Sequence, residues 1–238
     1  MKPYISVVIC AHNEEKRLLE SLNTVKDQDF PKEKYEIVVV DNASTDNTAE
    51  IAKAAGARVV EEKQKGIAFA RQKGSEEALG EIIVFTDADT KVPKHWLKTI
   101  ADAYEKDEKL IGFGGTYKIN TGTKASQFFI NNGMYYLYFL ARIITGGWML
   151  IGPNMSYKKW AFEKTGGFNT KLSQGEDTDI SEKLQKFGKV KLINHFYVFQ
   201  SGRRFEQGLI KGLLSYGISW PMKVLFNKDV SKELKDFR

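Results

Sequence analysis

One cysteine and three histidines are all that the 238 residues contain of those types, and the shortage excludes several classes at once. Cys10 alone closes no internal disulfide, so the fold depends on packing, which a chain of this length can supply. No Cys/His cluster has zinc-ligand spacing. Long apolar runs are missing too. The nearest is residues 128–152, and Asn131, Asn132, Arg142 and several glycines interrupt it. A membrane-spanning helix needs roughly 20 mainly apolar residues, so we expect an amphipathic or interfacial segment there. The start, Met1-Lys2-Pro3-Tyr4, runs straight into an apolar stretch, with no basic start, apolar run and cleavage site in series. No signal peptide is expected, and a cytoplasmic location is. Internal repeats and low-complexity linkers are absent as well.

What is present suits one large globular domain: 42% of residues are hydrophobic and 28% charged. The formal charge is +6 but unevenly spread. Residues 1–120 carry 18 Lys and Arg against 21 Asp and Glu, whereas residues 121–238 carry 18 against 9. The basic excess belongs to the second half, which points to an anionic partner there. No nucleic-acid motif accompanies it.

The first half alternates regularly. Residues 4–10, 36–40, 58–61 and 82–85 read as apolar strands; residues 14–27, 48–55, 67–79 and 94–104 read as helices, the first with Leu18, Leu19, Leu22 and Val25 on one face. That alternation predicts an α/β fold with a largely parallel sheet, whose ligands bind beyond the carboxyl ends of the strands. After about residue 110 the pattern fades into a Gly- and aromatic-rich stretch. A helix over 176–187, short strands at 190–193 and 197–199, and a last amphipathic helix over 205–216 complete the reading.

Polar residues gather at the strand ends. Asp87-Ala88-Asp89 follows an apolar strand, and two carboxylates one residue apart can share Mg²⁺ or Mn²⁺, or else Asp89 merely caps the helix entered at Pro93. Asp41 is placed to accept hydrogen bonds from a nucleobase or ribose, or to make a turn with Asn42. Lys65-Gly66 opens a helix with Arg71 one turn on, which suits a phosphate or a solvated helix face. Gly175-Glu176-Asp177-Thr178-Asp179 opens another, where a carboxylate facing the cleft would deprotonate an acceptor hydroxyl and otherwise complements the helix dipole. Arg203 and Arg204 offer forks for a diphosphate or form a surface pair. His195 is a candidate third metal ligand or an ordinary half-buried imidazole. The aromatic stretch from Phe128 to Trp148 has three readings: acceptor platform, membrane-facing helix, or core packing.

Taken in order, these motifs resemble family 2 glycosyltransferases of the GT-A fold over nearly the whole chain. The match runs through Ser6 to Glu15, Val39 to Asp46, Gly66 to Arg71 with Gly74, Asp87-Ala88-Asp89, and Gly166-Gly167-Phe168 followed by Gly175-Glu176-Asp177. The resemblance implies a Rossmann-like, mixed but mainly parallel sheet flanked by helices. Residues 1–120 would form its nucleotide-sugar half, and residues 121–238 its acceptor half with a C-terminal helical segment. It implies that Ala11, His12, Glu14, Asp41, Arg71 and Asp87 line the nucleotide pocket, and that Asp87 and Asp89 hold Mn²⁺ or Mg²⁺, to which His195 remains the candidate third ligand. Asp177, with Glu176 beside it, would be the general base, while Arg203 and Arg204 meet the phosphates. The activity implied is inverting transfer of a sugar from a nucleotide-diphosphate sugar to an acceptor hydroxyl or a lipid phosphate; the basic excess of the second half adds the expectation of peripheral contact at an anionic membrane. Because the arginine pair sits in Ser-Gly-Arg-Arg-Phe rather than Gln-x-x-Arg-Trp, single transfer is expected rather than polymerisation. Two other readings compete. A metal-dependent sugar nucleotidyltransferase would want a Gly-rich basic loop where Ala11 to Glu15 stand, and a non-enzymatic basic module would bind membrane or nucleic acid independently of Asp89.

Overall fold

The computed structural model describes residues 2–206. Among them eight strands form one sheet: β1 (Ile5–Ala11), β2 (Tyr35–Asp41), β3 (Arg58–Glu61), β4 (Ile82–Asp87), β5 (Thr90–Lys91), β6 (Leu110–Ile119), β7 (Met155–Lys158) and β8 (Lys189–Gln200). The helices are α1 (Leu18–Lys26), α2 (Thr48–Ala54), α3 (Ile67–Glu77), α4 (Trp96–Lys106), α5 (Lys124–Thr145), α6 (Lys159–Thr165) and α7 (Glu176–Leu184). The helix expected over 205–216 lies, beyond Glu206, outside the described residues.

Strand order is β3-β2-β1-β4-β7-β6-β8-β5. β3, β2, β1 and β4 are mutually parallel, as are β6 and β8, while β7 runs antiparallel to both its neighbours and β5 to β8. The chain leaves β1 toward β2 on one side and returns to β4 on the other, so β1 is the switch point at which such sheets open a crevice.

Burial on both faces explains the unbroken apolar strands. Ile5, Val7 and Ile9 of β1 pack with Leu18, Leu22 and Val25 of α1 and with Trp96, Leu97 and Ile100 of α4. Val8, pointing the other way, joins Val38, Val40, Ile83 and Phe85 beneath α3, α6 and α7. Each such aliphatic side chain contributes roughly 1.5–3 kcal/mol by leaving water. Gly74 lets α3 approach closely, since a Cβ there would lie 2.4 Å from Val8 Cγ1.

Several elements depart from the sequence reading. α1 starts at Leu18 rather than at residue 14, because residues 14–17 form a turn whose backbone bonds to the loop after β2, and Leu19 is half exposed. β6 and β7 were not foreseen. β6 carries Gly112, Gly114 and Gly115, which lower strand propensity. Their role is close approach: a Cβ on Gly115 would fall 1.6 Å from the Phe196 carbonyl oxygen, and one on Gly114 2.5 Å from that of Asn154. The two short strands expected near 190 and 197 are one strand, β8, with an irregularity where the register against β6 jumps from Ile193 to Tyr197.

Because that contact is backbone against backbone, Gly115→Ala should lower stability by about 1–3 kcal/mol, the usual cost of overpacking. Urea unfolding measures it, and a wild-type midpoint would mean that β8 yields freely.

Candidate active site

Three strand ends meet at the switch point. In register, Ala11 lies beside Asp41 and Cys10 beside Asp87, so the two aspartates flank β1, roughly 10 Å or two strand spacings apart. The loops after β1 and β2 are zipped together. Asn13, at φ 55°, accepts from Thr45 N at 2.8 Å, and its own N–H donates to Ser44 Oγ at 3.0 Å. Glu14 N–H donates to Thr48 Oγ1 at 2.8 Å. Ala43 also has positive φ, 56°, an uncommon conformation for a residue with a Cβ that is found at tightly constrained sites. His12 Nδ1 lies 2.7 Å from Asn42 O; a carbonyl only accepts, so that nitrogen carries the proton. Asn42 itself is buried, donating to Glu62 O and Gln64 O and accepting from Gly66 N. Asp41 Oδ1 accepts from Ser44 N at 3.3 Å, so the turn reading holds without occupying the whole carboxylate.

The Asp87-Ala88-Asp89 turn leads into β5, which pairs with the end of β8 and brings residues 200–204 over it. Gln200 Nε2 donates to Asp87 Oδ2 at 2.8 Å, and Ser201 N–H to Asp89 O at 3.1 Å. Gly202 permits the next turn, since a Cβ there would sit 2.1 Å from Thr121 O. Arg203 then spans two loops, with Nη2 2.5 Å from Glu14 Oε1 and Nε 3.2 Å from Asp89 Oδ2. Burial, then the neighbouring Asp87 charge, pushes the Asp89 carboxyl up to about 6; Arg203 opposes the rise, Glu14 adds to it, and Arg204 opposes it. Arg204 is thus near enough to matter, although it is Arg203 that grips the loops.

A second arginine works behind this turn. Arg71 of α3 is buried, ion-paired with Glu176 of α7 and 3.6 Å from Asp87 Oδ1. Burial alone would pull its pKa down, but Glu176, Asp87 and Asp177 outweigh that and hold the guanidinium charged. Gly152 makes room for it: a Cβ there would lie 2.0 Å from Arg71 Nη2. The Gly152 N–H donates to Asp177 Oδ2 at 3.2 Å, while Asp177 Oδ1 takes the Thr178 N–H at 2.8 Å. Asp177 is half-buried.

Ala11, His12, Glu14, Asp41, Asp87, Asp89, Arg203 and Arg204 are therefore brought to one edge of the sheet, with Asp177 near by through Arg71. Three of the expected residues sit differently from the rest. Glu176 is 5% exposed and bound to Arg71, not beside Asp177 in the cleft; adjacent helical positions point about 100° apart, so one faces the core when the other faces out. Arg71, expected to line the nucleotide pocket, is buried, its Nη1 donating to Glu176 and its Nη2 3.6 Å from Asp87. His195 is exposed in the irregular stretch of β8, and among the described residues it does not join Asp87 and Asp89 in a group that could hold a metal. The aromatic stretch divides: Phe128, Tyr136 and Phe139 are exposed, while Tyr135 stacks on Trp148 at 6.0 Å. Gln200 and Gly152 do not figure in the sequence reading; Gln200 follows directly on the strand expected at 197–199, and that position is the one local signal that marks it.

Among the described residues no group of three or more His, Cys, Asp or Glu is arranged to hold a metal. Asp87 and Asp89 nevertheless fit a divalent ion, because Mg²⁺ and its like take one or two carboxylates and fill the remaining positions from phosphates and water. Burial, and after it the Asp87 charge, lifts Asp89, and a cation would relieve the second of these.

This arrangement is that of an α/β protein with a carboxylate pair and arginines at a parallel-sheet switch point, the GT-A class. The chain belongs to glycosyl transferase family 2, whose family model matches residues 6–166. It is similar to "Glycosyltransferase AglE" of Haloferax volcanii, 38% identical over 102 residues, 40% of this chain and 34% of that protein. It thus spans about a third of that relative's length. It is also similar to the "Dolichyl N-acetyl-alpha-D-glucosaminyl phosphate 3-beta-D-2,3-diacetamido-2,3-dideoxy-beta-D-glucuronosyltransferase" of Methanococcus voltae, 25% identical, covering 90% of this chain and 72% of that one. Among solved structures, the mannosyltransferase PcManGT of Pyrobaculum calidifontis, in complex with GDP-Man and Mn²⁺, superposes with TM-score 0.70 at 22% identity, covering 90% of this chain and 64% of that one.

Between the ordinary carboxyl pKa near ~3.9 and the folded value of about 6, the folded protein binds more protons at Asp89 than the unfolded chain. Metal-free stability should therefore fall as pH rises through that window, and Asp89→Asn should be more stable than wild type at pH 7 by ~1–3 kcal/mol in chelator. Thermal unfolding at pH 4.5 and 7 checks both signs. Arg71→Ala strands buried carboxylates and should cost ~3–5 kcal/mol, with Arg71→Lys intermediate; equal unfolding midpoints would show that Arg71 holds nothing.

Proposed function

We propose that the chain is an inverting glycosyltransferase that moves a sugar from a nucleotide-diphosphate sugar to a hydroxyl of a lipid-phosphate-linked acceptor. The observation that carries the reading is the clasp of Asp87, Asp89, Glu14 and Arg203 at the sheet's switch point. Asp41 and His12 would receive the nucleoside beside β1. Asp87 and Asp89 would hold Mn²⁺ or Mg²⁺, which when bound supplies charge to the leaving diphosphate. Arg203, with Arg204, would shift its donors from carboxylates to phosphate oxygens. Asp177 would take the proton from the acceptor hydroxyl as its oxygen attacks the anomeric carbon, and the bond from that carbon to the diphosphate breaks on the opposite face. Glu176 and Arg71 position Asp177 and Asp87 and touch no substrate.

Two observations favour a lipid-linked acceptor. The acceptor half carries the whole basic excess, and the relative from Methanococcus voltae is named for a dolichyl-phosphate-linked acceptor. On this reading the chain works peripherally at the inner face of a membrane, within reach of both substrates. A second reading, with a lipid phosphate itself as nucleophile, needs no base, because a phosphate monoester with second pKa near ~6 is already anionic.

Thermal shift with UDP, GDP and their sugars should show stabilisation that requires Mn²⁺ or Mg²⁺ and disappears in Asp89→Asn. If no nucleotide stabilises the chain, the enzyme reading fails. Asp177→Asn should keep donor binding and lose about 10²-fold or more in kcat; near-full turnover would instead select the phosphate acceptor.

A further inference from the structure

α5 is 22 residues long and sits on β6 through few side chains; Ser126, Ile130 and Ala141 are its buried ones. Phe128, Tyr136, Phe139, Leu140, Ile143 and Ile144 point outward and are between 41% and 74% exposed. Scattered apolar residues at a surface need no explanation, but a contiguous face of them on one helix does. No helix among the described residues is long and apolar enough to cross a membrane. The face therefore lies along something.

Charge decides what. No Asp or Glu occurs between Glu108 and Glu163, whereas Lys109, Lys118, Lys124, Arg142, Lys158 and Lys159 fall in that stretch. Two of these, Lys124 and Arg142, are on α5, exposed, and eighteen positions apart. At about 3.6 residues per turn that is five whole turns, so both cations stand on the same edge of the apolar face. Arg142 is packed 4.8 Å over the Trp148 ring, and Trp148 stacks on Tyr135. An apolar face bordered by cations and by amphipathic aromatic rings suits the boundary between lipid headgroups and acyl chains. A second copy suits it less, because a two-fold contact sets the face against itself and offers the cations no carboxylate.

We propose that the outer face of α5 docks on an anionic lipid bilayer, with Leu140, Ile143 and Ile144 entering the acyl boundary and Lys124 and Arg142 meeting headgroup phosphates. The inference rests on the lipid-linked acceptor proposed above and gives it a route. The segment leaving α5 runs from Gly146 to Gly152, whose N–H holds Asp177, so the docked face adjoins the acceptor side of the cleft.

The test is co-sedimentation of the full chain with vesicles of phosphatidylcholine alone and of equal parts phosphatidylcholine and phosphatidylglycerol, at low and raised salt. The chain should pellet with the anionic vesicles and be partly released by salt. Leu140→Glu with Ile143→Glu should lower that partition at least about tenfold while circular dichroism and nucleotide binding stay unchanged. Sedimentation indifferent to lipid charge, or unaffected by the double variant, overturns the proposal. So does failure to bind any vesicle, or a dimer in light scattering that the variant dissolves, since either means that protein covers the face. Nucleotide binding, followed on the same samples, separates the two readings: its loss would sink the transferase and leave the docking surface standing.

Discussion

Negative charge is crowded at the carboxyl edge of the sheet, and the rest of the structure is arranged around the cost of keeping it there. Glu14 follows β1, and Asp87 and Asp89 stand at the end of the adjacent β4; burial first, and then the neighbouring Asp87 and Glu14 charges, lift Asp89. Two arginines answer it from opposite sides. Arg71 pushes up from α3 beneath Asp87, and Arg203 reaches over from the end of β8 onto Glu14 and Asp89. Neither is a local partner, so the carboxylates are tolerable only when the whole sheet has formed. On the proposed function, Arg203 would give up these carboxylates to a cation and turn to a diphosphate.

The glycines serve the same end. Gly152 leaves space for the Arg71 guanidinium, Gly202 lets the turn bearing Arg203 press on Thr121, and Gly115 lets β8 approach β6 so that its end arrives beside Asp87. What reads in sequence as a loss of pattern after residue 110 is a region where backbones touch. Close approach, rather than flexibility, is the reason for its glycine content.

The two halves of the chain divide the electrostatic work. The first half supplies Glu14, Asp87 and Asp89, and the second supplies Arg203 and most of the stretch without Asp or Glu that contains α5. β4 pairs with β7 across that division, so one sheet carries both. A lipid-anchored acceptor and a water-soluble donor would then approach a common edge from different surroundings.

Much of the fold was legible because its signals are local. Apolar strands buried on both faces, helices with apolar residues three and four apart, and acidic loops at strand ends all follow from neighbours in the chain, and they marked Asp41, Asp87 and Asp89 as polar residues at strand ends. The sequence by itself therefore determined the alternation, the edge at which polar residues collect, and the family. Which carboxylate faces the cleft and which the core was not local. Arg71 and Glu176 are 105 positions apart, and Glu14 and Arg203 are 189. Gln200 reaches Asp87 because β8 lies against β5, and His195 stands apart in the irregular stretch of β8 before the register with β6 resumes at Tyr197. Those choices were made by tertiary packing, since only a folded sheet decides which distant charges share a low-dielectric space and must be paired there.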